Sequence, residues 1–565
     1  MGTRLTARLI FSIRVQTLPP SPPAPSEAPL PSHSSTGQAV ARATAGIGAL
    51  HLVRFVIGFI AQPLIAHNFG LRWQADAYAV STDIVQRLWL IFEKVINPAF
   101  LPNFIAAMKE EGEDRAWKLV STAVWLVSLA LLVMTPLAWL GMPALVHLLS
   151  PTAGPEELDL TIRTSRVLLL GLFFLGFSSL TYTILNGYKR FVYAALGDAF
   201  WKVGILGGAV VARLTHAAPE RALWLIITGF LVGAFLKLLP HLLAIGRKWR
   251  LLKPRIDLND PLARKMFALA VPLLLGIIVS EGRGFYLQRL ADDPSIQVEA
   301  GRAALKWSSI IGDNLIQIFP YALSIGIFPF LADLARERDR QPLTDTLMGA
   351  LRICIFVFAP ITAILIALRF PLLRAVWESG RLTQADTVAM SAPFVAFTVG
   401  LVAFACEMML SQTFYAMTRA WTPTLIGLAT SVLWIFAAKL GVEGLGWGLA
   451  AIAGAQSLSK TVKCLLMWHL LKPHLGAIRR RDNALFSLKV VALSVVAALA
   501  SAFLIRFLAP DDGASHFKIK MLLAVALSGM GASLLFVVLA GALKVEESRS
   551  LSAAMGKIGR KIARR

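Results

Sequence analysis

The sequence predicts an all-α fold, a polytopic membrane protein of about fourteen transmembrane helices, and three observations predict it. Of the 565 residues, 56% are hydrophobic and 16% charged, with a mean hydropathy of +0.65, a balance that suits lipid rather than water as solvent. The apolar residues form runs long enough to cross a hydrocarbon core as helices, which takes about 20 residues each. The basic residues behind the formal charge of +23 sit in short clusters between those runs, as cytoplasmic loops do under the positive-inside rule. This placement assigns the charge to anionic headgroups and excludes nucleic acid as the partner.

Residues 1–45 differ from all that follows. Their Pro/Ser-rich run, TLPPSPPAPSEAPLPSHSS, has no helical period and no face to bury, and reads as a disordered cytoplasmic tail. Arg4, Arg8 and Arg14 interrupt the weakly apolar start, which argues against a cleaved signal peptide. Spans are expected to begin near 46, 76, 118, 164, 190, 221, 266, 303, 346, 388, 422, 445, 486 and 518. The even number puts both termini on one side. That side carries a linker, 246–265, with Arg247, Lys248, Arg250, Lys253, Arg255, Arg264 and Lys265. It also carries Lys472 and Arg479 to Arg481, and a basic tail, 544–565. The opposite loops have sparse cations such as Arg72, Arg213 and Arg374, and acids at Glu156, Glu157 and Asp159. The basic side is therefore read as cytoplasmic, with both termini inside.

The spans divide into an N-lobe, 46–245, and a C-lobe, 266–472, followed by two further helices in 473–543. The division rests on a weak doubling: Thr183-Ile-Leu-Asn-Gly-Tyr-Lys-Arg190 closes the fourth span as Thr413-Phe-Tyr-Ala-Met-Thr-Arg419 closes the tenth. Six spans separate them, which fits two six-helix lobes in parallel pseudo-twofold repeat. No connection is long enough to fold into a catalytic module. Cys354, Cys406 and Cys464 fall singly inside apolar runs, too far apart for a short metal motif.

Function is therefore sought among the embedded charges, each costing at least about 2.5 to 3.5 kcal/mol at mid-membrane on insertion scales. The first span holds Arg54, the second Asp76, Asp83, Arg87, Glu93 and Lys94, the seventh Glu281 and Arg283, and the eighth Lys306 and Asp313. Embedded charge is thus expected in the first two helices of each lobe, where Pro63, Pro98, Pro102, Pro272, Pro320 and Pro329 also gather and permit kinks. Lobes meeting along those helices would enclose one cavity. Arginine's planar fork suits phosphate oxygens, so an anionic head group such as a lipid-linked diphosphate is the natural guest. The competing expectation is that the charges pair among themselves, Arg87 with Asp83, Glu281 with Arg283, and Asp198 with Lys202 at i and i+4.

Spaced motifs then carry a resemblance. Gly58-Phe59, Ile65-Ala66, Phe69-Gly70, Asp76-Ala77 and Ala99-Phe100-Leu101-Pro102 form an opening block; Ile184-Leu185-Asn186 with Arg190-Phe191, and Leu239-Pro240-His241-Leu242 with Ile245-Gly246 and Pro254-Arg255-Ile256, follow in order. The most specific stretches are Trp377-Glu378-Ser379-Gly380-Arg381-Leu382-Thr383 with Asp386, and Phe414-Tyr415-Ala416 with Thr422-Pro423. In these the chain resembles the MurJ (MviN) family of lipid II flippases, within the superfamily of multidrug, oligosaccharidyl-lipid and polysaccharide exporters. The resemblance implies a rocking mechanism in a bacterial inner membrane, a cationic cavity receiving the diphosphate-sugar head of an undecaprenyl-linked precursor, and a lipid-tail groove on the last two helices. It places Arg54, Arg87, Asp76 and Glu93 at or near the family's charged positions. Two family features depart: an Arg-Asp pair falls at Ala61-Gln62, and an eighth-helix arginine near Ile310. Arg283 and Lys306 are the neighbouring cations that can stand in, with Glu281 beside them.

The expected function is thus a flippase for a lipid II-like precursor working by alternating access, with Arg54, Arg87, Glu93, Arg283, Lys306, Asp76 and Glu281 as the substrate-binding set and no catalytic residues, metal or cofactor. Its partners are the lipid-linked oligosaccharide, membrane lipids and a coupling cation, and it is read as a monomer. A flippase for another polyprenyl-linked polysaccharide unit is the alternative. A cation-coupled multidrug exporter would favour an acidic or aromatic cavity. A membrane-embedded glycan polymerase or ligase needs a positioned proton carrier in a sizeable outer loop, and no phosphate-cradling Gly-rich motif supports an ATP-driven pump.

Overall fold

A computed structural model describes residues 53–254, 256–511 and 515–548, all described segments being helices and their connections. The expected N-terminal tail, the first residues of the first span, Arg255 and the chain after 548 lie outside the described residues. In the first lobe stand α1 (Val53–Phe69), α2 (Trp73–Glu110), α3 (Glu113–Leu149), α4 (Pro155–Gly187), α5 (Phe191–Leu214) and α6 (Pro219–Ile245). The second holds α7 (Pro261–Leu290), α8 (Gly301–Leu334), α9 (Gln341–Ala367), the short α10 (Arg369–Trp377), α11 (Gln384–Val399), α12 (Leu401–Ala416), α13 (Trp421–Lys439) and α14 (Gly448–Leu471). Two more, α15 (Arg480–Leu508) and α16 (Phe517–Ala542), close the chain.

Local chemistry explains where these helices start and stop. Pro155, Pro219 and Pro261 open α4, α6 and α7 within the first turn, where a missing N–H costs nothing and φ is already set. Asp260 caps α7 by accepting from the Leu262 N–H at 2.9 Å. That cap starts α7 inside the stretch 246–265 expected to be linker, which opens with a 3-10 turn, Gly246–Leu251. Thr383 and Asp386 form a reciprocal capping box at the start of α11. The doubling in the sequence is a shared helix ending. Lys189 closes α4 at φ 60° and Thr418 closes α12 at φ 57°, and the next N–H reaches back to the helix in both, Arg190 to Leu185 O and Arg419 to Phe414 O.

Packing repeats with the same period. α5 lies on α6 as α13 lies on α14, α2 on α4 as α8 on α11 and α12, and α3 on α4 as α9 on α12. Eleven spans among the described residues are long and apolar enough to cross a membrane, α11 and α12 together making one; α1, α2 and α14, which fall short of that measure, stand where the other three of the fourteen expected spans begin. Their outer faces suit lipid: Leu140 on α3 is 75% exposed, and Leu499 on α15 and Leu534 on α16 are 67% and 64%, a display that water would penalise. α15 and α16 pack on α9 and α10 beside the second lobe. Prolines are more widely spread than expected, with Pro136 and Pro143 in α3, Pro240 in α6, Pro360 in α9 and Pro393 in α11.

We call the end holding residues 70–72, 291–300 and 378–383 the upper end. There the lobes meet backbone to backbone. A Cβ on Gly70 would lie 2.5 Å from the Arg381 carbonyl oxygen, and one on Gly380 2.5 Å from the His67 carbonyl oxygen, so glycine is required at both, the more since each has φ above 60°. The Arg381 N–H donates to His67 O at 3.2 Å, and Trp307 stacks on the buried Trp377 at 5.7 Å. At the lower end the lobes are joined by Arg115 of α3, which grips the Asp260 carboxylate with both terminal nitrogens, one at 2.7 Å.

Candidate functional site

The charges expected inside the membrane form two linked groups between the lobes. The first begins with glycines. Gly204 and Gly208 on α5 face Gly229 and Gly233 on α6 so closely that a Cβ on Gly204 would lie 2.4 Å from the Gly233 Cα, the small-residue contact by which membrane helices pack backbone to backbone. About two turns from Gly204 along α5, Gly197 rests on the Lys237 carbonyl. This approach lets Lys237 of α6 reach Asp198 of α5 at 2.7 Å, with Arg54 of α1 on the other carboxylate oxygen at 3.1 Å. The Lys237 ammonium also lies 4.3 Å from the Trp89 ring centroid and 5.3 Å from that of Trp201, where ring quadrupoles replace lost hydration. Glu93 of α2 lies within electrostatic reach of Lys237, Asp198 and Arg54.

The second group spans the lobe boundary. Arg87 of α2 holds Asp83 of its own helix at 2.5 Å and Glu281 of α7 at 2.7 Å, and Lys94 reaches the same Glu281 at 3.0 Å. Gln288 of α7 donates to Asp83, and the Arg87 guanidinium lies over the Phe285 ring at 5.2 Å. Arg283 turns the other way along α7, donating to Ser431 and lying 4.8 Å over Trp434 of α13. It remains within electrostatic reach of Glu281 and Arg87. Lys306 of α8 lies over Tyr78 at 5.7 Å, within reach of Asp83 and Arg87. Lys202 joins the two groups, being within reach of both Arg54 and Lys306.

Seven basic residues, Arg54, Arg87, Lys94, Lys202, Lys237, Arg283 and Lys306, thus share this region with four acidic ones, Asp83, Glu93, Asp198 and Glu281. The formal surplus is positive. Lys94 keeps 46% of its side chain accessible and Arg54 29%, so the groups reach open space at these two, while Lys237, at 4%, is enclosed.

Several expectations need correction. Glu281 pairs with Arg87 and Lys94, not with Arg283, because Arg283 extends toward α13. Asp198 pairs with Arg54 and Lys237, not with Lys202, whose ammonium rests on the Trp201 ring at 4.6 Å. Asp76 stands apart, at the upper end. Its carboxylate accepts from the Ala303 N–H at 2.8 Å and pairs with Arg302 at 3.2 Å, so it caps α8 from another helix. Nor is embedded charge confined to the first two helices of each lobe. Lys237 and Arg302 were missed, as was Glu407 of α12, held by Lys460 at 2.8 Å and Lys463 at 2.5 Å of α14. The i, i+3 spacing of the two lysines was the available signal for the last group. Lys237 gave none, being a single lysine in an apolar run.

Comparison with known proteins adds an independent finding. A family model described as "Lipid II flippase MurJ" matches residues 65–540. A probable lipid II flippase MurJ of Treponema pallidum is 22% identical over 484 residues, 82% of this chain and 89% of that protein. A lipid II flippase MurJ of Burkholderia cenocepacia is 25% identical over 433 residues, 74% of this chain and 82% of that protein. Among solved structures, a lipid II flippase MurJ in an inward closed conformation superposes with a TM-score of 0.71 at 19% identity, covering 88% of this chain and 99% of that one. An inward-facing multidrug transporter of the MATE family gives 0.62 at 15% identity, covering 75% and 97%. At these identities the two structures show a common fold.

Proposed function

The chain belongs to the MurJ lipid II flippase family, a family of membrane transporters, and from that premise we propose that it moves an undecaprenyl-diphosphate-linked, lipid II-like cell-wall precursor across the bacterial inner membrane by alternating access. The observation that carries this reading is the surplus of cations where the lobes face each other, with Arg87 and Lys94 of one lobe sharing Glu281 of the other. A diphosphate brings the negative charge that this region lacks, and guanidinium groups bind its oxygens in pairs. Glycan and phosphates would cross inside the protein while the tail stays in lipid. An apolar hollow of about 290 Å³ between α1 and α8, lined by Phe55, Val56, Phe59, Ile311, Leu315 and Ile318 among others, gives the tail a place beside the charged region.

The proposed phosphate ligands are Arg54, Arg87, Arg283 and Lys306, with Lys237 and Lys202 added, while Glu281 holds Arg87 and Lys94 in place before the substrate arrives and Glu93 lies within reach of Arg54 and Lys237. Asp76 is assigned to the closure of the upper end. The lobes are taken as 46–245 and 266–472, and the lower end, with its linker cations and both termini, as cytoplasmic. The upper contacts then form the outer seal. The protein works as a monomer in this reading, and a coupling cation would act on an embedded acid, of which Glu93 is the one without an ion pair among the described residues of the site. Complementation of a strain depleted of its own flippase tests the proposal. Arg54→Ala and Arg87→Ala are expected to insert normally and fail to sustain growth; normal growth with both would contradict it.

A further inference from the structure

A second cationic group sits at the upper end, apart from the charges embedded midway between the lobes, and the proposed transport does not use it. Its frame is the end of α1. Asn68 donates to the Ala209 carbonyl of α5 at 3.3 Å, and Arg213 lies one helical turn beyond Ala209 on the same face of α5. Arg381 is held against α1 by its own N–H on His67 O and by its guanidinium on Asn68 O, each at 3.2 Å. Lys518, in the first turn of α16, reaches the hydroxyl of Ser379 at 3.2 Å, two residues from Arg381. Arg213, Arg381, Lys518 and His216 all lie within electrostatic reach of His67, and Lys518 within reach of Arg213.

The one acid within electrostatic reach of Lys518 among the described residues is Glu378. Among the described residues neither Arg213, Arg381 nor Lys518 pairs with a carboxylate, and the nearby Glu378 is gripped by Arg374 at 2.7 and 3.2 Å. Like charges gathered by three separate elements repel, so this assembly calls for an anion from outside the chain. The surface below tells which kind. Val211 on α5 is 44% exposed, and Ile519 and Leu522 on α16 are 59% and 50%, apolar side chains on the membrane side of the cations. Headgroup cations above exposed apolar side chains match the layout of a lipid, phosphate uppermost and acyl chains beneath.

We propose that Arg213, Arg381 and Lys518 form a site for a lipid-borne phosphate at the upper membrane interface, where α5, the 378–383 loop and α16 come together. The ligand bridges the first lobe to the last helix and offsets the repulsion among its cations. The inference goes beyond the transport reading and requires only that the protein sit in a membrane. An anionic phospholipid and the undecaprenyl diphosphate of the cargo both present this chemistry, and the experiment separates them.

The test is native mass spectrometry of the full-length protein taken from phosphatidylcholine nanodiscs doped with phosphatidylglycerol, with undecaprenyl diphosphate, or with neither plus free inorganic pyrophosphate. Wild type is expected to retain phosphatidylglycerol or undecaprenyl diphosphate over phosphatidylcholine, and the lipid retained identifies the source. Each of Arg213→Gln and Lys518→Gln should weaken retention about fivefold, the worth of one cation beside an anionic surface. Lys518→Arg should retain it, and Lys439→Gln, an exposed cation at the upper end of α13, should leave it unchanged. Retention that the two glutamine variants alter no more than Lys439→Gln does, or binding of free pyrophosphate with no lipid preference, overturns the proposal.

Discussion

Glu281 shows how much a single carboxylate can hold in this molecule. It sits with 11% of its side chain accessible and takes Arg87 and Lys94 from the opposite lobe, so its removal leaves two cations facing each other in a poorly hydrated place. Breaking one partner of a buried pair typically costs about 3 to 5 kcal/mol, less where solvent reaches it. Glu281→Gln is expected to lower the unfolding temperature of the detergent-solubilised protein. Glu281→Gln combined with Arg87→Gln should be less destabilised than the two single effects added, by a coupling of about 1–3 kcal/mol. Strict additivity would show that the pair contributes nothing. Asp260 offers a pH-dependent counterpart in the linker, where the hydrogen bonds from Arg115 hold its carboxyl below the usual carboxylate range. A depressed carboxyl stabilises the fold above its unfolded value of about 3.9 and loses that contribution as pH falls through the folded value. Asp260→Asn should therefore destabilise at pH 7 by about 1.5–3 kcal/mol, and the difference from wild type should shrink below pH 4; thermal melts at the two pH values decide it.

At the scale of elements, what the sequence revealed and what it withheld have different physical origins. Spans were legible because insertion into lipid demands long apolar runs, and the doubled fold because Tyr188-Lys189-Arg190 and Met417-Thr418-Arg419 spell the same left-handed helix ending. Partners of embedded charges were not legible, because they are chosen by helix rotation and lateral neighbours. Asp198 has a lysine four residues on, yet finds Lys237 across the glycine seam of α5 and α6. Short α10 was also missed, since its nine residues, Arg369–Trp377, are too few to signal a span. The seam makes a prediction. Gly233→Val places branched carbons where a Cβ alone would lie 2.5 Å from the Trp201 carbonyl oxygen, so α5 and α6 must part and the Asp198–Lys237 pair with them. Loss of transport together with a lower unfolding temperature is expected; wild-type values for both would show that the seam does not position the pair.

Across the whole molecule, the contacts between lobes have an order that suits rocking. Upper-end contacts are backbone to backbone through Gly70 and Gly380, supported by Asp76 with Arg302. Midway the contacts are ion pairs, and the lower end is tied by Arg115 on Asp260 and by a linker hydrogen-bonded to Ser121 and Thr122 of α3. Ion pairs exchange for phosphate contacts at little net cost, whereas glycine contacts are either made or broken, so the substrate acts on the middle and the seal responds at the end. The most direct measurement follows a labelled undecaprenyl-diphosphate glycan in proteoliposomes and asks whether it passes from one leaflet to the other. Wild-type protein should move it, and Arg87→Ala should slow it by about 10- to 100-fold, as loss of a charge-assisted contact of about 1.5–3 kcal/mol implies. Equal rates for wild type, Arg87→Ala and protein-free vesicles would contradict the account.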